Sequence, residues 1–349
     1  MINLYKELDL KIRTRIKLIF LISILTTLLE TLSILSIFPV IKSIFDPKFI
    51  KEKLNFIDLN INDQEIIFYI IITIILLFII KNICIYFFSV LQSKFINFAT
   101  LDLTTKYFKR YLDLDYSEFI KFNSSYYVRN VIENITTLFG VYLKCIITLF
   151  IELLLVSVLL FILFSIDYIS TLYFLILFSF LGVFVFYIFQ SKLKYYGTNM
   201  NEYYTKKLIN LNQGFNSFKE INITNSNDYF LRGFTANLRD IALVSFKVDA
   251  IQAVPRLVLE IGGISLIMIF LYINYIQSPS GDYDYFATLS LFALSGLRML
   301  PSANKIVSSI NRLRFSGPAV SILENELKRF KKNIYNNTVK RDENVEIKL

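Results

Sequence analysis

The sequence contains no histidine and no tryptophan, and only 2 cysteines, 6 prolines and 10 glycines among 349 residues. Without histidine, Ser-His-Asp and Cys-His catalysis, the imidazole general base and the commonest zinc ligand are all excluded. Loops carry no clustered carboxylate motif either, so the chain by itself is not read as an enzyme. Cys84 and Cys145 lie in apolar runs with no second cysteine at metal-site or redox spacing, and are expected to be buried packing residues. No glycine pair has the five-residue spacing followed by Lys and Ser or Thr that lets backbone N–H groups approach a phosphate, so no nucleotide-binding loop is present.

Charge is also scarce. Charged residues make up 19% of the chain against 55% hydrophobic, and the mean hydropathy is +0.53, well above what a soluble core of this size requires. The sequence is that of an all-α membrane protein. Its net charge of +9 is not gathered in one block, and no basic stretch is interleaved with stacking aromatics, so nucleic acid is not an expected partner.

Residues 1–17 carry five basic and two acidic residues, a net of +3, which suits a helix lying on the cytoplasmic membrane surface. Six spans are expected after it, at about 18–41, 66–93, 141–166, 168–191, 257–276 and 285–304, the last continuing to 316. A polar hinge over 46–65 and a tight turn over 277–284 separate spans one from two and five from six. Residues 94–140 and 192–255 have helical spacing and almost no proline, and are too long for loops. They are read as cytoplasmic extensions of the membrane helices, each with a short crossing helix, near 116–122 and 226–230. Lys and Arg accumulate in the N-terminus, both extensions and the tail. By that asymmetry both termini face the cytoplasm, and the chain is multi-pass in the cytoplasmic (inner) membrane.

The last span and its extension, within 289–324, carry a polar stripe. Arg298, Ser302, Lys305, Ser309, Arg312 and Ser316 are spaced four, three, four, three and four apart, one line along a helix. From Lys305 onward the stripe is expected to be a solvated face, with Ile306, Ile310 and Leu313 on an apolar one. Arg298 follows a run without charge and should face the protein interior or a wet pathway. Lys81, Glu30, Glu152 and Glu260 are the other ionisable residues expected inside spans, and either pair across the bundle or line that pathway. Gly317-Pro318 is expected to end the helix.

Four stretches together resemble the membrane half of ATP-binding-cassette (ABC) exporters, and within it the lipid-linked oligosaccharide flippases. They are Leu28 to Ser33 with Phe38-Pro39; Tyr116-Ser117-Glu118-Phe119 with Asn123-Ser124 and Arg129-Asn130; Gln213-Gly214-Phe215 with Lys219-Glu220-Ile221 and Asp228-Tyr229-Phe230; and Arg298-Met299-Leu300-Pro301 with Asn304 and Asn311-Arg312-Leu313. The resemblance implies an ABC-exporter transmembrane domain over 18–327 and a homodimer around a central path. It also implies two coupling helices that rest on an ATPase partner, built on Tyr116, Ser117, Glu118 and Phe119 and on Asp228, Tyr229 and Phe230. Arg298, Lys81, Glu30, Glu152 and Glu260 would lie on the substrate pathway. ATP and Mg would belong to a nucleotide-binding domain absent from this chain, and no cofactor is expected within it. Residues 328–349 are read as a basic linker towards that domain, ending on what looks like its opening strand, 343–349. The substrate implied is a lipid-linked glycan or another amphipathic molecule; the alternative is a membrane anchor or dimerisation protein that has lost its motor.

Overall fold

The computed structural model describes residues 10–36, 63–277 and 283–346, with side chains left out over much of 174–191, 273–289 and 331–346. The described residues are helical throughout, with no strand. Helix α1 is Leu10–Leu35, α2 Asp63–Leu112, α3 Tyr116–Phe119, α4 Ser124–Ile166, α5 Tyr168–Asn216, α6 Phe218–Thr224, α7 Asn227–Gln277 and α8 Tyr283–Glu346. Four of the rods, α1, α2, α4 and α7, are long and apolar enough to cross a membrane. The expected fourth and sixth spans, 168–191 and 285–304, fall in α5 and α8, where many side chains lie outside the described residues.

Each long rod outruns the bilayer. The 50 residues of α2 reach ~75 Å at 1.5 Å per residue, more than twice a hydrocarbon core of roughly 30 Å. Caps decide where rods begin. Asn123 accepts from the Ser125 amide at 2.9 Å to start α4, and Asp167 accepts from the Ile169 and Ser170 amides at 3.0 and 3.3 Å to start α5. An acid placed there also complements the positive end of the helix dipole. Asn225, at φ 50°, ends α6; asparagine is among the few side chains that tolerate this left-handed region.

α8 is the hub, packed against α4, α5 and α7, while α1 joins α2 to α4. At the extended end, Tyr107, Tyr111, Tyr127, Leu323, Leu327 and Phe330 form one buried cluster. Leu155, Leu159, Ile267 and Met299 form another along the apolar part. Two backbones approach closely at Gly197, where a Cβ would overlap the Phe315 carbonyl oxygen. α4 contains two π-helical stretches, Asn130–Asn134 and Leu138–Leu143.

Several expectations are corrected. Residues 10–17 are the opening turns of the α1 rod, with Ile12 and Ile16 buried, rather than a separate surface helix; residues 1–9 lie outside the description. Gly317-Pro318 does not end α8. Proline removes one backbone bond, but Ser316, Ala319, Val320 and Leu323 are buried around the site and hold the rod against its neighbours. Residues 343–346 belong to the same helix rather than to a strand. The second short helix is α6 at 218–224, and 228–230 form the first turn of α7. Cys145 is buried, whereas Cys84 is half-buried. The 46–65 hinge, up to residue 62, and 278–282 of the 277–284 turn lie outside the described residues.

Two outcomes follow. In a background with both native cysteines replaced by serine, Tyr168→Cys should label from outside intact cells, and Asn123→Cys and Asn227→Cys only after permeabilisation; external labelling at Asn123 overturns the orientation. Gly197→Ala should lower stability by about 1–3 kcal/mol, the usual cost of overpacking, seen as a lower Tm in detergent. Gly214→Ala, with nothing within 4 Å of its added Cβ, should not.

Candidate functional site

The polar stripe of α8 divides by residue type. Ser302, Ser309 and Ser316 are 0%, 5% and 3% exposed, whereas Lys305 and Arg312 are exposed, so the stretch expected to be a solvated face keeps its cations in the open and buries its serines. Arg298 donates from Nη2 to Glu30 Oε1 on α1, and the two side chains are 18% and 21% exposed. Lys305 Nζ lies 2.6 Å from Glu152 Oε1 on α4, with the acid 4% exposed. Each pair relieves a desolvation cost that its buried or half-buried members would otherwise bear; in the second pair that member is Glu152, since Lys305 is 52% exposed.

Of the five residues expected on a pathway, three come together. Lys81 on α2 is half-buried with its ammonium 4.3 Å from the centroid of the Phe78 ring, and the charges it feels are Glu30 and Arg298. The trio therefore carries two cations and one carboxylate. Glu152 instead pairs with Lys305. Glu260 stands exposed on α7, and among the described residues no ion pair reaches it.

A second constellation sits at the extended end. Glu118, in α3, accepts from Lys121, and Arg329 on α8 donates to the Glu118 backbone carbonyl and approaches its Oε2 at 3.4 Å. The Arg329 guanidinium also lies 4.8 Å from the Phe122 ring centroid and 3.6 Å from Glu326. Tyr127 donates to the Phe119 carbonyl at 3.0 Å, its ring stacked on Phe119 at 4.8 Å. Tyr126 reaches Glu326 at 3.1 Å. Lys121, and then Arg329, hold the Glu118 carboxyl below the usual carboxylate range, so it is charged at neutral pH. α3 is thus fastened to α8 by Arg329 on the Glu118 carboxylate and carbonyl, and to α4 by Tyr127 on Phe119.

Around these fastenings the tips stay exposed and apolar. Tyr116 and Ile120 are 79% and 60% exposed, and Phe215, Phe218, Ile223 and Tyr229 at the other tip are 76%, 68%, 73% and 72% exposed. Ser117 and Asp228 are exposed beside them, Phe119 just so, and Phe230 half-buried. Phe218 and Ile223 were not among the expected site residues; their signal was an unpaired apolar residue in a polar helical segment. Nor were Arg329, Glu326 and Tyr127, which only a long-range contact identifies. Among the described residues, no three acidic or cysteine side chains cluster as a metal site.

The ion pair on α1 and α8 has a clear signature. Arg298→Gln should cost about 1–3 kcal/mol because it leaves the half-buried Glu30 without its direct partner, and Glu30→Gln/Arg298→Gln together should recover most of the lost Tm. Equal destabilisation by the double variant overturns the pairing. No family model matches the sequence.

Proposed function

We propose that this chain is the transmembrane subunit of an ABC-type exporter or flippase, working as a homodimer in the cytoplasmic membrane. It would move an amphipathic substrate with ATP hydrolysed by a partner ATPase, and a lipid-linked glycan is the cargo class that the sequence resemblance favours. The observation that carries this reading is the fastening of α3 to α8 through Arg329 and Glu118. A motor that pushes on an exposed α3 would thereby push on α8, the helix that also bears Arg298 and Lys305.

Two features support the partner side of the proposal. Both tips offer large exposed aromatics, Tyr116 at one and Phe218 at the other, the residue type that dominates binding energy when desolvated by a partner. Arg298 and Lys81 supply the cations of the apolar region, and a guanidinium can meet phosphate oxygens with two parallel bonds where an ammonium offers a point charge. The excess of two cations over one carboxylate at Glu30 leaves positive charge available to an anionic headgroup.

The test uses liposomes containing the chain and an ABC ATPase subunit captured by it. ATP-dependent movement of a fluorescent polyprenyl-diphosphate glycan is expected only when both are present. Tyr116→Ala/Phe218→Ala should weaken ATPase binding at least tenfold, about 1.4 kcal/mol, while leaving the Tm unchanged. An ATPase that binds the double variant as tightly as the parent would remove the tips from the interface. No ATP-driven movement in the complete system would overturn the transport reading.

A further inference from the structure

Below the apolar stretch 141–166, α4, α5 and α8 separate around a cavity of about 910 Å3. Its walls carry four cations, Arg129, Lys194, Lys206 and Arg314, and two acids, Glu202 and Glu324. Lys206 is committed to Glu202 at 2.7 Å. Arg129 differs from the rest. It is 3% exposed, and its Nη1 donates to the Asn201 carbonyl and the Thr205 hydroxyl on α5. Both of those acceptors are neutral, and its Nε has no hydrogen-bond partner.

A buried guanidinium normally faces a carboxylate, because the cost of removing a full charge from water is not repaid by neutral oxygens. Among the described residues no carboxylate lies within ion-pair distance of Arg129, and Glu133 acts on it only through space. A cationic group that is fixed through Nη1 to two neutral acceptors and lines a cavity without a carboxylate is preorganised for an oxyanion. The cavity is far larger than a phosphate ion. Tyr126, Tyr142, Ile209 and Pro318 line it as well, and a volume of this size with mainly apolar walls is that of an organic ligand.

Depth distinguishes this cavity from the charged trio in the membrane. Arg129 lies twelve residues before Val141 in one rod, ~18 Å beyond the start of the apolar stretch at 1.5 Å per residue. Lys194 follows Ser191 by three residues, which is ~4.5 Å. The site therefore opens from the headgroup level into the cytoplasmic extension.

We propose that this cavity binds an amphipathic organic phosphate, with the phosphate on Arg129. The site stands outside the membrane pathway and is independent of whether the chain transports anything. Its ligand is either a soluble aryl or alkyl phosphate or the phosphate headgroup of a lipid of the inner leaflet, since both present the same oxyanion beside an apolar body.

The absence of tryptophan provides the readout. The full chain carrying Tyr142→Trp, in phosphatidylcholine nanodiscs, is titrated with water-soluble naphthyl phosphate and with bilayer-resident dodecyl phosphate, followed by indole emission. A saturable change is expected with at least one of them, and binding of the matching alcohol, naphthol or dodecanol, should be at least tenfold weaker. Tighter binding of naphthyl phosphate assigns a soluble ligand, and of dodecyl phosphate a lipid headgroup. Arg129→Gln should weaken phosphate binding at least tenfold and leave the alcohol unchanged, with Arg129→Lys in between. Thr198→Phe, which fills the cavity from α5 and leaves the Arg129 charge in place, should abolish both, and it decides the matter if Arg129→Gln does not fold. Equal binding of phosphate and alcohol, parent affinity in a folded Arg129→Gln or Thr198→Phe variant, or no saturable change at all would each overturn the proposal.

Discussion

The interaction on which the bundle depends is the satisfaction of the polar face of α8. α8 carries Arg298, Ser302, Lys305, Ser309 and Ser316 along one line, with the three serines buried, and charge that faces neighbouring helices there costs stability unless it is paired. α1 answers it with Glu30 and α4 with Glu152. The serines answer themselves in part: Ser316 donates back to the Arg312 carbonyl at 2.7 Å. Since those acids sit on different helices, pairing them fixes how α1 and α4 are placed around α8. Packing then follows the charges, with Met299, the residue after Arg298, against Leu155 and Leu159.

How much of this could be read from the sequence depends on the range of the interaction. Periodicity and span length are local, so the helical class, the long extensions and the short helix at 116–119 were legible. The stripe on α8 was legible as a stripe, but its environment was not, because a polar line facing solvent and one facing Glu152 have the same spacing. Lys305 shows this most clearly: its partner lies 153 residues away. The second short helix was misplaced because Asp228-Tyr229-Phe230 carries the family-like pattern, whereas the turn that separates α6 from α7 is set by Asn225 in the left-handed region. Gly317-Pro318 looked like a stop on local chemistry, and burial of Ala319, Val320 and Leu323 overrode it.

The same distinction explains why the surroundings of Arg129 were not legible. In sequence Arg129-Asn130 is part of a family-like stretch on a helical extension, and nothing local marks Arg129 as buried. In the fold it is held from α5 by Asn201 and Thr205, and the helix that carries it changes to π geometry at the next residue, Asn130. A π-helical stretch turns side chains out of the α-helical line, and such stretches recur where a helix carries function. Asn130 uses the change to reach Tyr111 at 3.1 Å, and Asn134 donates to Asn130 at 2.7 Å. That internal polar chain occupies the face of α4 towards α2, while Arg129 lines the cavity shared with α5 and α8.

α8 connects the two ends of the molecule. Arg298 and Arg329 are 31 residues apart on it (329 minus 298), ~47 Å of helix at 1.5 Å per residue. Pro301 and Pro318 lie between them, each deleting one backbone bond, and both lie on a rod that stays helical. The points where α8 is least supported by its own backbone are therefore the points next to Arg298 and above the α3 fastening. At Pro318 the missing bond is offset by packing, since Ser316, Ala319, Val320 and Leu323 are buried around it. Gly317 and Pro318 also line the Arg129 cavity, so the cavity wall, the fastening of α3 and the Arg298–Glu30 pair all lie on this one helix.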